Sequence, residues 1–76
     1  MTEATKKLDV RGVNCPLPIL RTRATLKEME SGEVLQVIAT DPGSVRDIES
    51  FCNQTGNTLL PSPEIAGEYN FLIRKC

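Results

Sequence analysis

The apolar pattern of this chain changes period four times, from two residues to three or four and back again, and a proline stands where each helical stretch opens. "KKLDV" (6–10) sets Leu8 and Val10 on one face and Asp9 on the other, as a short strand does. From Pro16 to about Met29, the residues Ile19, Thr22, Leu26 and Met29 recur at helical steps, with Leu20 and Ala24 flanking. Ser31-Gly32 is expected to stop that helix, glycine being the usual left-handed terminator. "EVLQVIAT" (33–40) is β-branched and apolar enough for a central strand. "DPGSVRDIESFCNQTG" then offers Asp41 as a cap only and Pro42 at the first helical position. Val45, Ile48 and Cys52 form its apolar stripe with Phe51 beside them, and Gly56 ends the run. "NTLLPSP" (57–63) reads as a short strand whose Pro61 and Pro63 suit a sheet margin or loop. "EYNFLIRK" (68–75) reads as the last strand, with Tyr69, Phe71 and Ile73 as sheet-face packing. The order βαβαββ leaves two amphipathic helices, each with one stripe to bury. The expectation is an α/β two-layer sandwich, both helices on one face of a four-stranded mixed sheet, forming one domain over residues 1–76.

A domain of 76 residues buries only about 60% of the surface its unfolded chain exposes, so chemistry is expected at the surface and not in an engulfed cavity. The net charge of −1 argues against general affinity for nucleic acid or membranes. The distribution is uneven: residues 1–31 hold six Lys or Arg against four acids, and residues 32–67 hold Arg46 against five. Arg21, Arg23 and Lys27 follow one another along the first helix, as a solvated face or as a docking patch for an acidic partner. The polar start "MTEATKKLDV" and the lack of a long apolar run lead to the expectation of a soluble, cytoplasmic protein without membrane contact. In a reducing compartment, three cysteines at 15, 52 and 76 with no CxxC do not suggest a disulfide framework. With no histidine in the chain, no metal site is expected either. Cys52, on the second helix's stripe, reads as a small core hydrophobe, and Cys76, the last residue, as mobile.

Cys15 differs from the other two. In "VNCPLPIL" (13–20), taking Cys15 as the cap places Pro16 and Pro18 at the first and third helical positions, where neither missing N–H has an intrahelical partner. Taking Asn14 as the cap would drive the Pro18 ring against the Asn14 carbonyl. A sulfur so placed faces the positive end of the helix dipole and the Leu17 N–H, so the thiol is expected to be exposed and unusually acidic, with Arg11 or Arg21 adding to the effect. Without a histidine base, acyl chemistry is disfavoured. A thiolate attacking a sulfane or disulfide sulfur needs no such base, which suits accepting a sulfur atom as a persulfide and passing it on.

These residues carry a family resemblance. "LDVRGVNCPLPIL", "SGEVLQVIATDP", "RDIESFC" and "FLIRK" together resemble the TusA/SirA-like sulfur carriers, with their CPxP signature, over nearly the whole chain. The resemblance implies a carrier and not an enzyme, in which Cys15 bears the persulfide and Pro16 and Pro18 shape its helix start. Leu17, the variable motif position, and Arg21 would then support the site, and Arg21, Arg23 and Lys27 would contact partners. It also implies a cysteine desulfurase or rhodanese-type sulfur donor and a relay protein of the TusBCD or DsrE type. The sulfur would serve tRNA 2-thiouridine synthesis, cofactor assembly or sulfur oxidation, with no cofactor, no direct nucleic-acid contact and a monomeric carrier. Three other classes stand beside this reading. One is an RNA-binding module, which the acidic balance and only three aromatics (Phe51, Tyr69, Phe71) disfavour. The others are a regulatory adaptor in which the thiol is incidental, and a redox sensor pairing Cys15 with Cys52 or Cys76.

Overall fold

The computed structural model describes residues 4–60, 64–65 and 67–76. Seven elements follow in order: β1 (Lys6–Val10), α1 (Leu17–Lys27), β2 (Val34–Ala39), α2 (Gly43–Thr55), β3 (Thr58–Leu60), β4 (Glu64–Ile65) and β5 (Glu68–Arg74). Four strands lie in the order β1-β2-β5-β3, with β1 parallel to β2 and both β2 and β3 antiparallel to β5. The two-residue β4 pairs with the start of β5 through Glu64–Tyr69 and Ile65–Glu68. The architecture is the expected one, two helices packed on a four-stranded mixed sheet, with β4 as an added scrap of edge. Pro61 and Pro63 lie outside the described residues.

The period-two strands put Val10, Leu35, Val37, Ala39, Phe71 and Ile73 on the helix-covered face, where the helices answer with Leu26, Ile48, Phe51 and Cys52. Leu35, Ile48, Ile73, Val10 and Val37 are wholly buried. Tyr69 packs against this cluster, as its alternation implied. The opposite sheet face is more polar and is braced by a hydrogen bond from Gln36 Nε2 to Asn70 Oδ1 at 3.3 Å. Among the described residues, no helix is long and apolar enough to cross a membrane.

Helix boundaries depart from the sequence reading at the end of α1 and at the start of both helices. Helix α1 ends at Lys27, not near Met29, because Glu28 and Met29 donate to Thr25 and Leu26 in tighter three-residue steps. Gly32, with φ of 88°, does not cap it; it forms the later turn into β2 and donates to the Lys75 carbonyl at 2.8 Å. Helix α2 does end on a left-handed glycine, Gly56, whose N–H reaches the Cys52 carbonyl at 2.9 Å. Its start differs by one residue: Pro42 is the N-cap and already has helical dihedrals, while Asp41 Oδ1 accepts the Gly43 amide at 3.2 Å.

Candidate functional site

Parallel pairing of β1 and β2 brings the loops that follow them to the same end of the sheet, and each loop leads into a helix. Cys15 leaves the first loop and Asp41 the second, at the end of the strands where open α/β sheets commonly bind their ligands. The two loops are stitched together: the Gly12 N–H donates to Thr40 Oγ1 at 2.9 Å, and the Cys15 N–H donates to Asp41 Oδ2 at 2.9 Å. Asp41 thus holds two loops at once, one oxygen on the first turn of α2 and the other on the cysteine backbone. It is more than the cap its position in the sequence suggested.

Cys15 is exposed. It is not the N-cap of α1, however. Pro16 takes that place with φ −96° and ψ 11°, the Cys15–Pro16 peptide is cis, and the Leu17 amide turns back to the Asn14 carbonyl at 3.0 Å. The argument about absent donors therefore holds with a shift of one residue. Pro16 and Pro18 still sit where their missing N–H groups have no helical partner, but the sulfur lies one position further from the helix. The Leu17 N–H that was expected to face it is already engaged.

The thiol's own partner is a carboxylate. Cys15 Sγ donates to Asp47 Oδ2 at 2.9 Å, one turn into α2. This bond favours the protonated form and pushes the Cys15 thiol above its ordinary value, with desolvation and the negative charges of Asp47 and then Asp41 acting the same way. The expectation of an acidified cysteine is thereby overturned. Neither arginine offsets the carboxylates. Arg11 is held by Asp9 at 2.7 Å and Glu68 at 3.3 Å, and Arg21 is not among the charges acting on the sulfur.

Around the thiol, α1 presents an apolar surface. Leu17 and Leu20 are 48% and 50% exposed, while Pro18 between them turns inward and is buried. Leu17 is therefore a surface residue beside Cys15 and not part of the core. The three basic residues of α1 do not form one patch. At about 100° per residue, Arg23 and Lys27 fall about 40° apart, and Arg21 about 160° from Arg23 on the other flank. Arg23 leans towards α2, its guanidinium carbon 5.8 Å from the centre of the Phe51 ring.

The remaining cysteines have other settings. Cys52 is 3% exposed, and burial raises its thiol pKa. Cys76 is exposed but tethered, contrary to the mobile end expected: its N–H donates to Asn57 Oδ1 at 2.9 Å, and its carbonyl accepts Ser31 Oγ at 2.9 Å. Its sulfur lies 3.4 Å from the Thr55 carbonyl at the far end of α2. From Asp47 to Thr55 is eight residues of helix, about 12 Å, well beyond the reach of a disulfide between Cys15 and Cys76. Among the described residues, no three His, Cys, Asp or Glu side chains are grouped to hold a metal ion.

Asp47 is the site residue that sequence reasoning missed. A signal was available: βαβ order implies parallel β1 and β2, hence adjacent following loops, and the acidic residues opening α2 are Asp41 and, one turn on, Asp47.

Comparison with known proteins agrees with the motif. The family model described as sulfurtransferase TusA matches residues 6–75. The chain is 56% identical over 75 residues to the sulfur carrier protein TusA of Allochromatium vinosum, covering 99% of each chain. It is 46% identical over 70 residues to a putative sulfur carrier protein of Neisseria meningitidis, covering 92% of this chain and 95% of that one. In three dimensions it resembles the SirA-like protein of Desulfitobacterium hafniense with a TM-score of 0.82, at 22% identity over 92% of this chain and 96% of the other. With the CPxP segment, the two-layer fold and these matches in agreement, the chain belongs to the TusA/SirA-like family of sulfur carriers.

Proposed function

We propose that this protein carries sulfane sulfur as a persulfide on Cys15 and passes it to an acceptor protein by transpersulfidation. The observation that carries the reading is an exposed Cys15 thiol, backbone-anchored by Asp41 and hydrogen-bonded to Asp47, beside the uncovered Leu17 and Leu20. In loading, the Cys15 sulfur attacks the terminal sulfur of a donor persulfide. A new S–S bond forms at Cys15, the donor's S–S bond breaks, and the donor sulfur leaves as a thiolate that takes up the Cys15 proton. Delivery runs the same exchange in reverse, towards the acceptor's thiol, and no external oxidant or reductant is needed.

A standing thiolate is not required. With two carboxylates favouring the thiol, the resting carrier is slow to react with stray electrophiles, and ionisation is left to the donor complex, where a cationic surface offsets Asp41 and Asp47. Donors of the cysteine desulfurase or rhodanese type fit this role, and so do relay acceptors serving tRNA 2-thiouridine synthesis, cofactor assembly or sulfur oxidation. Pro16, Leu17 and Pro18 shape the approach to Cys15. Arg23 and Lys27 on one flank of α1, and Arg21 on the other, offer separate contacts for partners.

The test is intact-mass spectrometry after incubation with a desulfurase and cysteine. Wild type should gain the mass of one sulfur atom, released by a mild reductant, and Cys15→Ser should gain none. Equal gain in both proteins, or none in either, overturns the proposal.

A further inference from the structure

The ends of the two helices farthest from Cys15 enclose a second feature. A groove of about 340 Å³ opens between the last turns of α1 and α2, and Leu26 and Phe51 contribute to its lining. Arg23 and Lys27 on α1 and Lys75 after β5 also line it, and no lining side chain carries a carboxylate. Among the described residues, none of these three cations takes part in an ion pair; Lys75 Nζ instead donates to the Met29 carbonyl. The groove thus combines apolar walls with an excess of cationic side chains, and Arg23 already lies over an aromatic ring there. Its volume is at the small end of the range for ligand pockets, about 300–1,000 Å³. It is a helix length from Cys15, about 15 Å along α1, so an occupant would not touch the carrier thiol.

We propose that this groove binds a small organic anion with a flat apolar body, its ring against Leu26 and Phe51 and its carboxylate or sulfonate between Arg23, Lys27 and Lys75. Charge complementarity selects the anion. The modest volume of the groove, about 340 Å³, selects a small molecule over an extended protein segment. The exposed Cys76 thiol lines the same groove and serves as a built-in reporter of what enters it.

The experiment uses the full chain carrying Cys15→Ser, in which Cys76 is the remaining exposed thiol. Two aromatic disulfide probes are compared, the anionic dithiobis-nitrobenzoate and the neutral dithiodipyridine. In either case the Cys76 thiolate attacks one probe sulfur, a mixed disulfide forms, and the other half of the probe leaves as its thiolate or thione. Binding before reaction should make the anionic probe's rate saturate with concentration and fall with added salt. Replacing Arg23→Gln and Lys27→Gln together should slow it about tenfold at low probe concentration while leaving the neutral probe unchanged. Both substitutions are at exposed positions and spare the core. Anilinonaphthalenesulfonate should protect Cys76 in this protein and leave Cys15 labelling in wild type untouched. A linear, salt-insensitive rate, or equal slowing of both probes by the substitutions, overturns the proposal. Protection by an acidic aromatic peptide but not by anilinonaphthalenesulfonate would assign the groove to a protein segment and overturn it as well.

Discussion

Asp41→Ala should uncouple the two loops that build the carrier site, and the structure sets the size of the effect. The Asp41 side chain accepts two backbone amides, Gly43 at 3.2 Å and Cys15 at 2.9 Å. Losing an aspartate from a helix start costs about 1 kcal/mol. A hydrogen bond to a charged acceptor contributes more when buried, but the Cys15 amide is reachable by water, so its loss adds about 1 kcal/mol. The sum, about 2 kcal/mol, is a large share of the stability of so small a domain. With a urea dependence of about 1 kcal/mol per molar, the unfolding midpoint followed by circular dichroism should fall by about 2 M. Asp41→Asn keeps one acceptor oxygen and should show about half that shift. In both variants the Cys15 amide should exchange with solvent faster than in wild type. A midpoint for Asp41→Ala within about 0.5 M of wild type, or unchanged exchange at Cys15, refutes the view that Asp41 clamps the two loops.

Further outcomes follow for three other variants. Asp47→Asn removes the carboxylate that favours the thiol, so the pH profile of Cys15 alkylation should move to lower pH; a profile that stays put or moves up contradicts the assigned cause. Because the folded thiol titrates above its unfolded value, the Asp47 bond stabilises the native state below the unfolded pKa. The stability advantage of wild type over Asp47→Asn should therefore shrink as alkaline pH passes through the folded pKa. Arg11 holds Asp9 at about 2, down from the ordinary 3.8, mainly through side-chain hydrogen bonds, so this stabilisation is present above 3.8 and lost as pH falls through about 2. Arg11→Ala should return the Asp9 carboxylate to its ordinary range in an acid titration followed by NMR, and an unmoved midpoint would contradict the pairing. Ile73 is fully buried and pairs with Leu35 of β2 and Leu59 of β3, so Ile73→Ala should cost about 2–5 kcal/mol and leave a largely unfolded chain by circular dichroism.

Local chemistry made much of this protein legible in one dimension. Period-two and helical spacing marked β1, β2, β5 and both helices within a few residues, because each element must bury one face and the sandwich is the small arrangement that lets all of them do so. CPxP at a helix start marked Cys15, since two prolines are tolerated together only where helical donors are unpaired. Helix ends were less legible. Met29 fits the apolar stripe and is buried, yet the backbone has already tightened out of the α-helix, so side-chain periodicity overran the hydrogen bonds.

What the sequence could not determine was the environment of the sulfur. Its sign depends on Asp41 and Asp47, 26 and 32 residues away along the chain, and they reach Cys15 only because parallel strands deliver two loops to one end of the sheet. The local argument weighed the dipole of α1 against a free thiol and took the sulfur to be acidified; a single carboxylate at hydrogen-bond distance outweighs a dipole whose first N–H is already used. Linear proximity fixes which residues can share a turn or a stripe. Which charges meet a given atom is a property of the packed chain, because electrostatic effects depend on distance in space and fall off within a few ångströms of water-screened separation.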